Sequence, residues 1–169
     1  MPDYKAAERS FQLITQVTGR AGRGGLAGEV VIQSLRPEHY AIQYAREHQY
    51  REFFTHELEL RKNPLFPPFV RLVLLRLQGK VESRVRDGGI SLARFCRNWQ
   101  RENGVTMEVL GPAPSPIDKV KDNFRYQVLL KCASVSLLHT LCQEILNNER
   151  EMLSGGVSLS IDIDPENMM

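Results

Sequence analysis

Cysteine is scarce in this sequence of 169 residues, which contains three: Cys96, Cys132 and Cys142. They lie far apart and form no Cys-x-x-Cys pair, so they do not supply the four ligands of a structural zinc site. An odd number of cysteines also argues against a disulfide framework. We therefore expect reduced, buried thiols in a cytoplasmic protein and no bound metal.

Long hydrophobic runs and a phosphate-binding loop are also missing. No apolar run approaches the roughly 18 residues needed to span a membrane, and the first residues lack a signal-peptide pattern, so no membrane partner is predicted. The four histidines show no His-x-x-x-His spacing. The one Gly-Lys pair, Gly79-Lys80, is followed by valine and does not complete the pattern Gly-x-x-x-x-Gly-Lys-[Ser/Thr].

Charge is nearly balanced, with 22 Lys and Arg against 20 Asp and Glu, but it is unevenly distributed. Residues 66–131 contain twelve basic and six acidic residues, whereas residues 132–169 contain one basic and six acidic residues. A basic middle fits a surface that faces a polyanion, because cationic groups near phosphates release bound counterions. Two solvated faces of opposite sign would give the same counts, so both interpretations stay open.

Apolar spacing predicts three elements before residue 63. Residues 4–18 place apolar side chains at helical intervals, and the glycine-rich residues 19–25 end this helix. Residues 29–33 are rich in β-branched side chains and predict a short strand. Pro37 is suited to the start of a long helix over residues 38–62. Residues 1–62 thus form a predicted helix-strand-helix segment.

Three prolines within residues 63–68 predict a domain boundary, because proline fits neither a helix interior nor a central strand. The second domain, residues 63–169, is predicted to have the order β-α-β-β-α-β, with a stiff proline-rich loop at 111–116. Its strands are predicted at 69–78, 105–109, 124–131 and 157–164, and its helices at 81–99 and 137–146. Right-handed crossovers would give a four-stranded sheet with both helices on one face, and the fold class α+β.

A glycine-rich turn after the first helix presents two arginines, Arg20 and Arg23. Glycines on either side let the backbone approach another surface closely. Guanidinium is planar, always charged and able to donate two hydrogen bonds to phosphoryl oxygens. An arginine that reaches the γ-phosphate of a nucleoside triphosphate from a second lobe accelerates hydrolysis by roughly 10³–10⁵-fold. The spacing alone also fits a solvated loop.

Several separate strings resemble the primosomal replication-restart DNA helicases, the primosomal protein N-prime family. They span nearly the whole chain in the family's order: DYKAAER at 3–9, QL at 12–13, QVTGRAGR at 16–23, GEVVIQ at 28–33, PPF at 67–69, VLGPAP at 109–114, RYQVLLK at 125–131 and IDIDP at 161–165. Residues 3–23 resemble the family's sixth helicase motif. The resemblance implies an ATP-dependent 3′-to-5′ DNA helicase that recognises stalled replication forks and restarts replication by primosome assembly.

Carried over by position, this resemblance assigns four residues to a nucleotide site. Arg20 and Arg23 would face ATP held by the other RecA-like lobe, and Gly19 would belong to the same nucleotide-facing turn. Gln16 would couple the nucleotide state to lobe closure. Residues 1–62 would then be part of the second RecA-like lobe. The second domain would be the family's last domain, which resembles a small-subunit ribosomal protein and contacts DNA and single-stranded-DNA-binding protein.

The chain departs from the complete family pattern. It has no phosphate-binding loop, no Asp-Glu-x-His motif and no cysteine cluster, and Val135 stands where the family has a basic residue. We therefore expect a C-terminal fragment that does not hydrolyse ATP alone and binds none of the family's cofactors. The full-length parent would bind ATP with magnesium, and zinc in a cysteine-rich region. Its expected partners are forked and single-stranded DNA, single-stranded-DNA-binding protein and other primosome proteins.

Four basic residues around the third strand of the second domain are the candidate DNA contacts: Lys119, Lys121, Arg125 and Lys131. Cations position a phosphate backbone, and strand alternation puts Arg125 and Lys131 on one face. Tyr126 points to the other face, where a core position is favoured over stacking on a base.

Two other functions stay open from the residues. The second domain could be a stand-alone nucleic-acid-binding module without a catalytic role. A small phosphoryl-transfer enzyme that uses the Gly/Arg turn would need a phosphate-binding lysine and an acidic metal ligand nearby, and the sequence supplies neither convincingly.

Overall fold

The computed structural model describes residues 3–21, 28–153 and 155–168. The chain divides into two compact units, Asp3–Pro64 and Leu65–Met169. Each unit has a hydrophobic core of its own.

Among residues 3–21 and 28–64, three helices form the N-terminal unit: α1 (Ala6–Thr18), α2 (Tyr40–Arg46) and α3 (Tyr50–Lys62). Their buried apolar side chains form one cluster: Phe11, Ala41, Ala45 and Phe53. The rings of Phe11 and Phe53 stack with centroids 4.1 Å apart and planes 11° apart. This aromatic contact joins α1 to α3.

The single long helix predicted over residues 38–62 is wrong, because α2 and α3 are separated by residues 47–49. His48 adopts a left-handed backbone conformation with φ 55°, which interrupts the helix. The N–H of Gln49 then donates to the carbonyl oxygen of Tyr44 at 2.9 Å. The break lets Phe53 of α3 reach the same cluster as the alanines of α2.

The strand predicted over residues 29–33 is also wrong, since residues 28–35 contain no helix or strand. A strand needs a neighbouring strand to share its backbone hydrogen bonds, and the described residues of the N-terminal unit contain none. The β-branched pattern identified apolar residues here without fixing their conformation. Val31, for example, is 87% exposed.

A buried polar network joins the three helices. Tyr40 donates a hydrogen bond to the Glu57 carboxylate. The guanidinium of Arg61 bridges Glu57 and Glu8, with N–O distances of 2.8 and 3.0 Å. Glu57 is buried, so its charge needs these partners. Burial, together with the adjacent Glu57, raises the pKa of Tyr40, because ionising it would place a second negative charge beside the carboxylate.

The described part of the C-terminal unit contains four strands and three helices: β1 (Arg71–Gly79), α4 (Glu82–Glu102), β2 (Met107–Val120), β3 (Asn123–Cys132), α5 (Val135–Asn147), α6 (Glu149–Met152) and β4 (Val157–Ile163). The strands form one sheet in the order β2-β3-β1-β4, and every neighbouring pair is antiparallel. The predicted mixture of helices and strands and the four-stranded sheet are confirmed.

One face of the sheet forms the main core with the helices. Because strand side chains alternate, Val73 and Leu75 of β1 share this face with Val128 and Leu130 of β3. The helices contribute further members of the cluster: Leu92 and Cys96 of α4, and Leu138, Leu141 and Ile145 of α5. At the start of α5, the Ser134 hydroxyl accepts a hydrogen bond from the backbone N–H of Leu137, a normal N-cap.

The proline-rich segment 111–116 is part of β2, so the loop predicted there is wrong. β2 continues through it with two irregularities in its pairing with β3, the first between Leu110 and Ala113. Gly111 allows the first irregularity, since its φ of 102° lies in the region that favours glycine. β2 lies at an edge of the sheet, where proline is tolerated.

The opposite face of the sheet carries both apolar and polar side chains: Leu72, Leu74, Leu129, Gln127, Lys131 and the partly buried Arg76. Arg76 pairs with Asp162 at 3.0 Å and donates to the carbonyl oxygen of Asn167 at 2.8 Å. Gln127, which pairs in register with Arg76, is 2% exposed. Neither polar atom of its side chain has a hydrogen-bond partner among the described residues.

Candidate functional site

Three of the nucleotide-facing residues predicted from the sequence, Gln16, Gly19 and Arg20, lie at the C-terminal end of α1. Gln16 and Arg20 are exposed, and the N–H of Gly19 closes the last turn by donating to Thr15 O at 3.0 Å. Arg23 lies outside the described residues. The catalytic and nucleotide-binding roles of all four predicted residues therefore stay predictions.

The guanidinium of Arg20 is available to a partner. No ion pair joins it to an acid in the described part of the chain. A cation near the last carbonyls of a helix is favoured by their partial negative charge, which suits its position just beyond α1. An exposed arginine of this kind can donate to phosphoryl oxygens of a ligand held by another surface.

The surface of the N-terminal unit beside α1 is largely apolar. A cleft of about 420 Å³ is lined by residues of α1, of α2 and of the segment between them, including Leu13, Ile14, Ile32 and Ile42. Leu13 is 61% exposed and Val17 is 53% exposed. Contiguous exposed apolar surface marks an interaction site, so this face is suited to pack against another protein surface.

Three of the four predicted DNA contacts lie around the β2–β3 hairpin. Lys119 is exposed near the end of β2, and Lys121 is exposed in the tight turn. Lys119 pairs with Asp122 at 3.1 Å and lies over the Phe124 ring, 5.3 Å from its centroid. An ion pair this exposed is weak, so a phosphate can replace the carboxylate. Arg125 is half-buried, on the face of β3 opposite to that of Phe124.

Lys131, the fourth predicted DNA contact, is held inside the C-terminal unit. Its side chain is 5% exposed, and its ammonium lies 2.7 Å from the Glu108 carboxylate. The same ammonium lies 4.7 Å from the centroid of the Phe66 ring. These contacts satisfy a buried charge. We therefore base the candidate DNA surface on the other three residues, and the DNA role of Lys131 stays a prediction.

Tyr126 packs on the side of β3 that faces the helices. Its ring is partly buried against the main core, and its hydroxyl donates to Glu82 at 3.3 Å. Burial and the neighbouring Glu82 carboxylate raise the pKa of Tyr126. This geometry favours a structural position over a platform for stacking bases.

A row of exposed arginines on α4 was not identified from the sequence. Its members are Arg86, Arg94, Arg97 and Arg101. The last three line a surface groove of about 650 Å³ together with Ile90, Asn98 and Gln100. Their separations of eight, three and four residues place them along one side of a helix, and this spacing is the signal in the sequence that identifies the row.

The described residues contain no group of three or more His, Cys, Asp or Glu side chains placed to hold a metal ion. Cys96, Cys132 and Cys142 are free and buried. Burial raises the pKa of Cys96 to about 12 and also raises that of Cys142. A raised pKa disfavours the thiolate form that a metal ion binds. No helix in the described ranges is both long enough and apolar enough to cross a membrane.

The C-terminal unit is an α+β domain with a basic hairpin and a basic helix. In the N-terminal helical unit, the exposed Arg20 follows the last residue of α1. The family described as "Primosomal protein N C-terminal domain" matches residues 62–166. The chain belongs to this family, and the family membership inferred from the sequence is confirmed.

Relatives named "Replication restart protein PriA" align with nearly the whole chain. The Bacillus subtilis (strain 168) protein is 36% identical over 170 residues, which cover 100% of this chain and 21% of the relative. The Synechocystis sp. protein is 39% identical over 165 residues, or 96% of this chain and 19% of the relative. The Treponema pallidum (strain Nichols) protein is 35% identical over 168 residues, or 99% of this chain and 25% of the relative.

The chain thus spans between 19% and 25% of the length of these relatives. Among solved structures, the de novo designed protein Foldit4 covers 58% of this chain and 99% of its own, with a TM-score of 0.40 and 16% sequence identity.

Proposed function

We propose that this chain supplies the C-terminal part of an ATP-dependent 3′-to-5′ DNA helicase that recognises stalled replication forks and restarts replication by primosome assembly. Family membership and the names of the relatives support this function. The catalytic part rests on one observation: the exposed guanidinium of Arg20, at the end of α1, lies in the segment that resembles the sixth helicase motif.

In this function, Arg20 and Arg23 complete a nucleotide site whose other side is a second RecA-like lobe. The guanidinium groups donate to the γ-phosphoryl oxygens of magnesium-bound ATP as negative charge develops there. Gln16, exposed on the last full turn of α1, links the nucleotide state to lobe closure. Because the chain has no phosphate-binding loop, we expect it neither to hold nor to hydrolyse ATP alone. No described cluster fits zinc, which we place in the parent's cysteine-rich region.

The apolar face of the N-terminal unit supports its placement within the second RecA-like lobe. A lobe of that kind is built around a central sheet covered by helices. Leu13, Val17 and Val31 are exposed in this chain, and their burial against such a sheet would remove apolar surface from water.

The arginine assignment is tested in the full-length protein by Arg20→Ala and Arg23→Ala. ATP turnover stimulated by DNA should fall by roughly 10³-fold or more in either variant, because the developing charge loses a guanidinium donor. ATP binding, followed with a fluorescent nucleotide, should be retained. Arg51→Ala, which removes an exposed arginine of α3, is the matched control. Normal turnover in both variants would remove Arg20 and Arg23 from the nucleotide site.

We also propose that the C-terminal unit contacts DNA through Lys119, Lys121 and Arg125. The double variant Lys119→Gln/Lys121→Gln should weaken binding of single-stranded and forked DNA and lower the dependence of log affinity on log salt by about 1.4, at about 0.7 for each lost single-strand phosphate contact. Lys62→Gln is the control, since Lys62 is an exposed lysine of the N-terminal unit. An unchanged salt dependence would contradict this DNA surface.

The separate core of the C-terminal unit favours a second candidate function, a nucleic-acid-binding module without a catalytic role. The two functions differ in the ATP experiment, because a module would leave turnover unaffected by the arginine substitutions. For the helicase, we propose single-stranded-DNA-binding protein and other primosome proteins as further partners.

A further inference from the structure

The exposed side of α4 carries four arginines in a row. Arg86, Arg94, Arg97 and Arg101 fall along one side of the helix, and the row extends over about 22 Å at a rise of 1.5 Å per residue. Ile90 lies within the row and is 41% exposed. Helix α4 has its buried side in the main core, and the row lies beside that side, where Arg97 contacts the edge strand β2.

One arginine of the row holds the helix to β2, and the others have weak contacts. Arg97 donates to the carbonyl oxygens of Gly111 at 2.7 Å and Val109 at 3.4 Å. Within the described ranges, the one ion pair of Arg86 is an exposed contact with the adjacent Asp87. The side chain of Arg94 makes no hydrogen bond or ion pair with a described residue. Guanidinium donors therefore remain available on this surface.

The groove beside the row has a single sign of charge. Among the residues that the structure describes, its lining contains three arginines, two side-chain amides and Ile90, and no acid. The amides belong to Asn98 and Gln100; Gln100 donates to Met107 O at 2.7 Å and Asn98 contacts Arg101. A groove lined by three guanidinium groups and no carboxylate attracts polyanions and disfavours neutral or cationic partners.

The N-terminal end of α4 lies beside β3. Tyr126 of β3 donates to Glu82, the first residue of α4, at 3.3 Å. Arg86 follows Glu82 by about one helical turn, so the row begins near β3, and the acidic Glu82 lies at the same end of the helix.

We propose that the α4 arginine groove, defined by Ile90, Arg94, Arg97, Asn98, Gln100 and Arg101, binds the sugar-phosphate backbone of a single nucleic-acid strand. This inference rests on the proposed nucleic-acid binding and adds a second contact surface to it. A single row of cations follows one phosphate backbone, whereas a duplex presents two. Guanidinium donates in pairs to phosphodiester oxygens, and Ile90 offers an apolar contact for a sugar or base.

The inference is tested with the purified chain and the double variant Arg94→Gln/Arg101→Gln, which leaves the structural contact of Arg97 intact. Fluorescence anisotropy would measure the binding of a labelled oligothymidylate of about ten nucleotides, over a range of salt concentrations. Matched oligouridylate, a duplex of the same length and polyglutamate are the other probes. Comparison of the DNA and RNA oligonucleotides shows which of the two nucleic acids, which share a phosphodiester backbone, the groove binds.

The double variant should bind the single-stranded oligonucleotide about ten-fold more weakly, and the slope of log affinity against log salt should fall by about 1.4. Arg84→Gln is the control. Arg84 lies on the same helix outside the row, where it donates to Gly155 O at 3.3 Å. Equal circular dichroism spectra and melting curves would show that the variants are folded. Arg94→Lys/Arg101→Lys should keep most of the salt dependence, because it keeps the charge.

Other results would overturn the inference in distinguishable ways. If the groove variant binds oligothymidylate normally while Lys119→Gln/Lys121→Gln does not, the groove is not a strand-binding site and the proposed DNA-binding function stands. A loss confined to polyglutamate would identify an acidic protein segment as the occupant and contradict the proposal. If the unaltered chain binds no oligonucleotide, both the groove proposal and the proposed DNA surface are wrong.

Discussion

Glu57 and Arg61 form an ion pair one helical turn apart on α3, with Arg61 Nη2 2.8 Å from Glu57 Oε2 and both side chains largely buried. The same guanidinium also reaches Glu8 on α1. The pair therefore connects the helix that carries the sixth-motif resemblance to the last helix of its unit. Removing one partner of a buried pair leaves the other charge without compensation.

Glu57→Gln should destabilise the N-terminal unit by about 3 kcal/mol, because Arg61 loses its closest carboxylate. Hydrogen exchange of the α1 and α3 backbone amides would measure this change, since protection reports local opening. Glu59→Gln, at an exposed position of the same helix, is the control and should leave the exchange rates unchanged. Equal protection in the two variants would show that the network contributes little to stability.

Gln127→Met should raise the free energy of unfolding of the C-terminal unit by about 1 kcal/mol. The Gln127 amide is buried without a hydrogen-bond partner among the described residues, and methionine has a similar shape without the polar atoms. Urea unfolding would measure the difference. Gln78 of β1 is exposed on the same face of the sheet as Gln127. The control variant Gln78→Met should change the free energy of unfolding by less than about 0.5 kcal/mol. A destabilised Gln127→Met variant would indicate that the amide is satisfied.

Gly79→Ala should destabilise the C-terminal unit by about 2 kcal/mol, as overpacking does. A Cβ at Gly79 would lie 2.6 Å from the carbonyl oxygen of Gly156 and 3.1 Å from a methyl group of Val85. The backbone oxygen cannot rotate away, so β1 or the start of β4 must move. Thermal unfolding would measure the effect, with Gly155→Ala as control, because a Cβ there meets no described atom within 4 Å. Similar melting temperatures would contradict the predicted clash.

The pKa of Cys96 predicts a loss of stability in alkali. Burial raises this pKa from 9.0 to about 12, so above pH 9 the unfolded chain releases the thiol proton while the folded chain keeps it. The folded state then binds more protons, and its stability falls as pH rises from 9 to 12, by up to about 1.4 kcal/mol per pH unit. Stability from this source is complete below pH 9. Urea unfolding of Cys96→Ala should show a shallower decline over that window, and an identical decline would remove Cys96 as the cause.

The sequence predicted those elements whose side chains alternate or recur cleanly. β4 was placed correctly because apolar and polar residues alternate along it, and only one of its faces meets the main core. The break at His48 was missed, since a left-handed residue other than glycine leaves little trace in a helical pattern. β2 was cut short because prolines suggest a loop, whereas position at a sheet edge depends on strand order.

The candidate site, like the fold, was only partly predictable from the sequence. Residue type and motif order identified Arg20, Lys119 and Lys121 as candidates, and the structure leaves all three exposed. Lys131 has the same residue type, but antiparallel pairing puts it opposite Glu108 in a buried position. Such pairing depends on the register between two strands, and this register cannot be predicted from the sequence of one strand alone.

The three prolines of β2 restrict how this domain meets other chains. Pro112, Pro114 and Pro116 have no backbone N–H. A strand of another chain that paired with the edge strand β2 would therefore lack some of its backbone hydrogen bonds. Neighbouring copies cannot readily fuse into a continuous intermolecular sheet on that side. The hairpin lysines and α4 can therefore stay uncovered where copies of the protein crowd together.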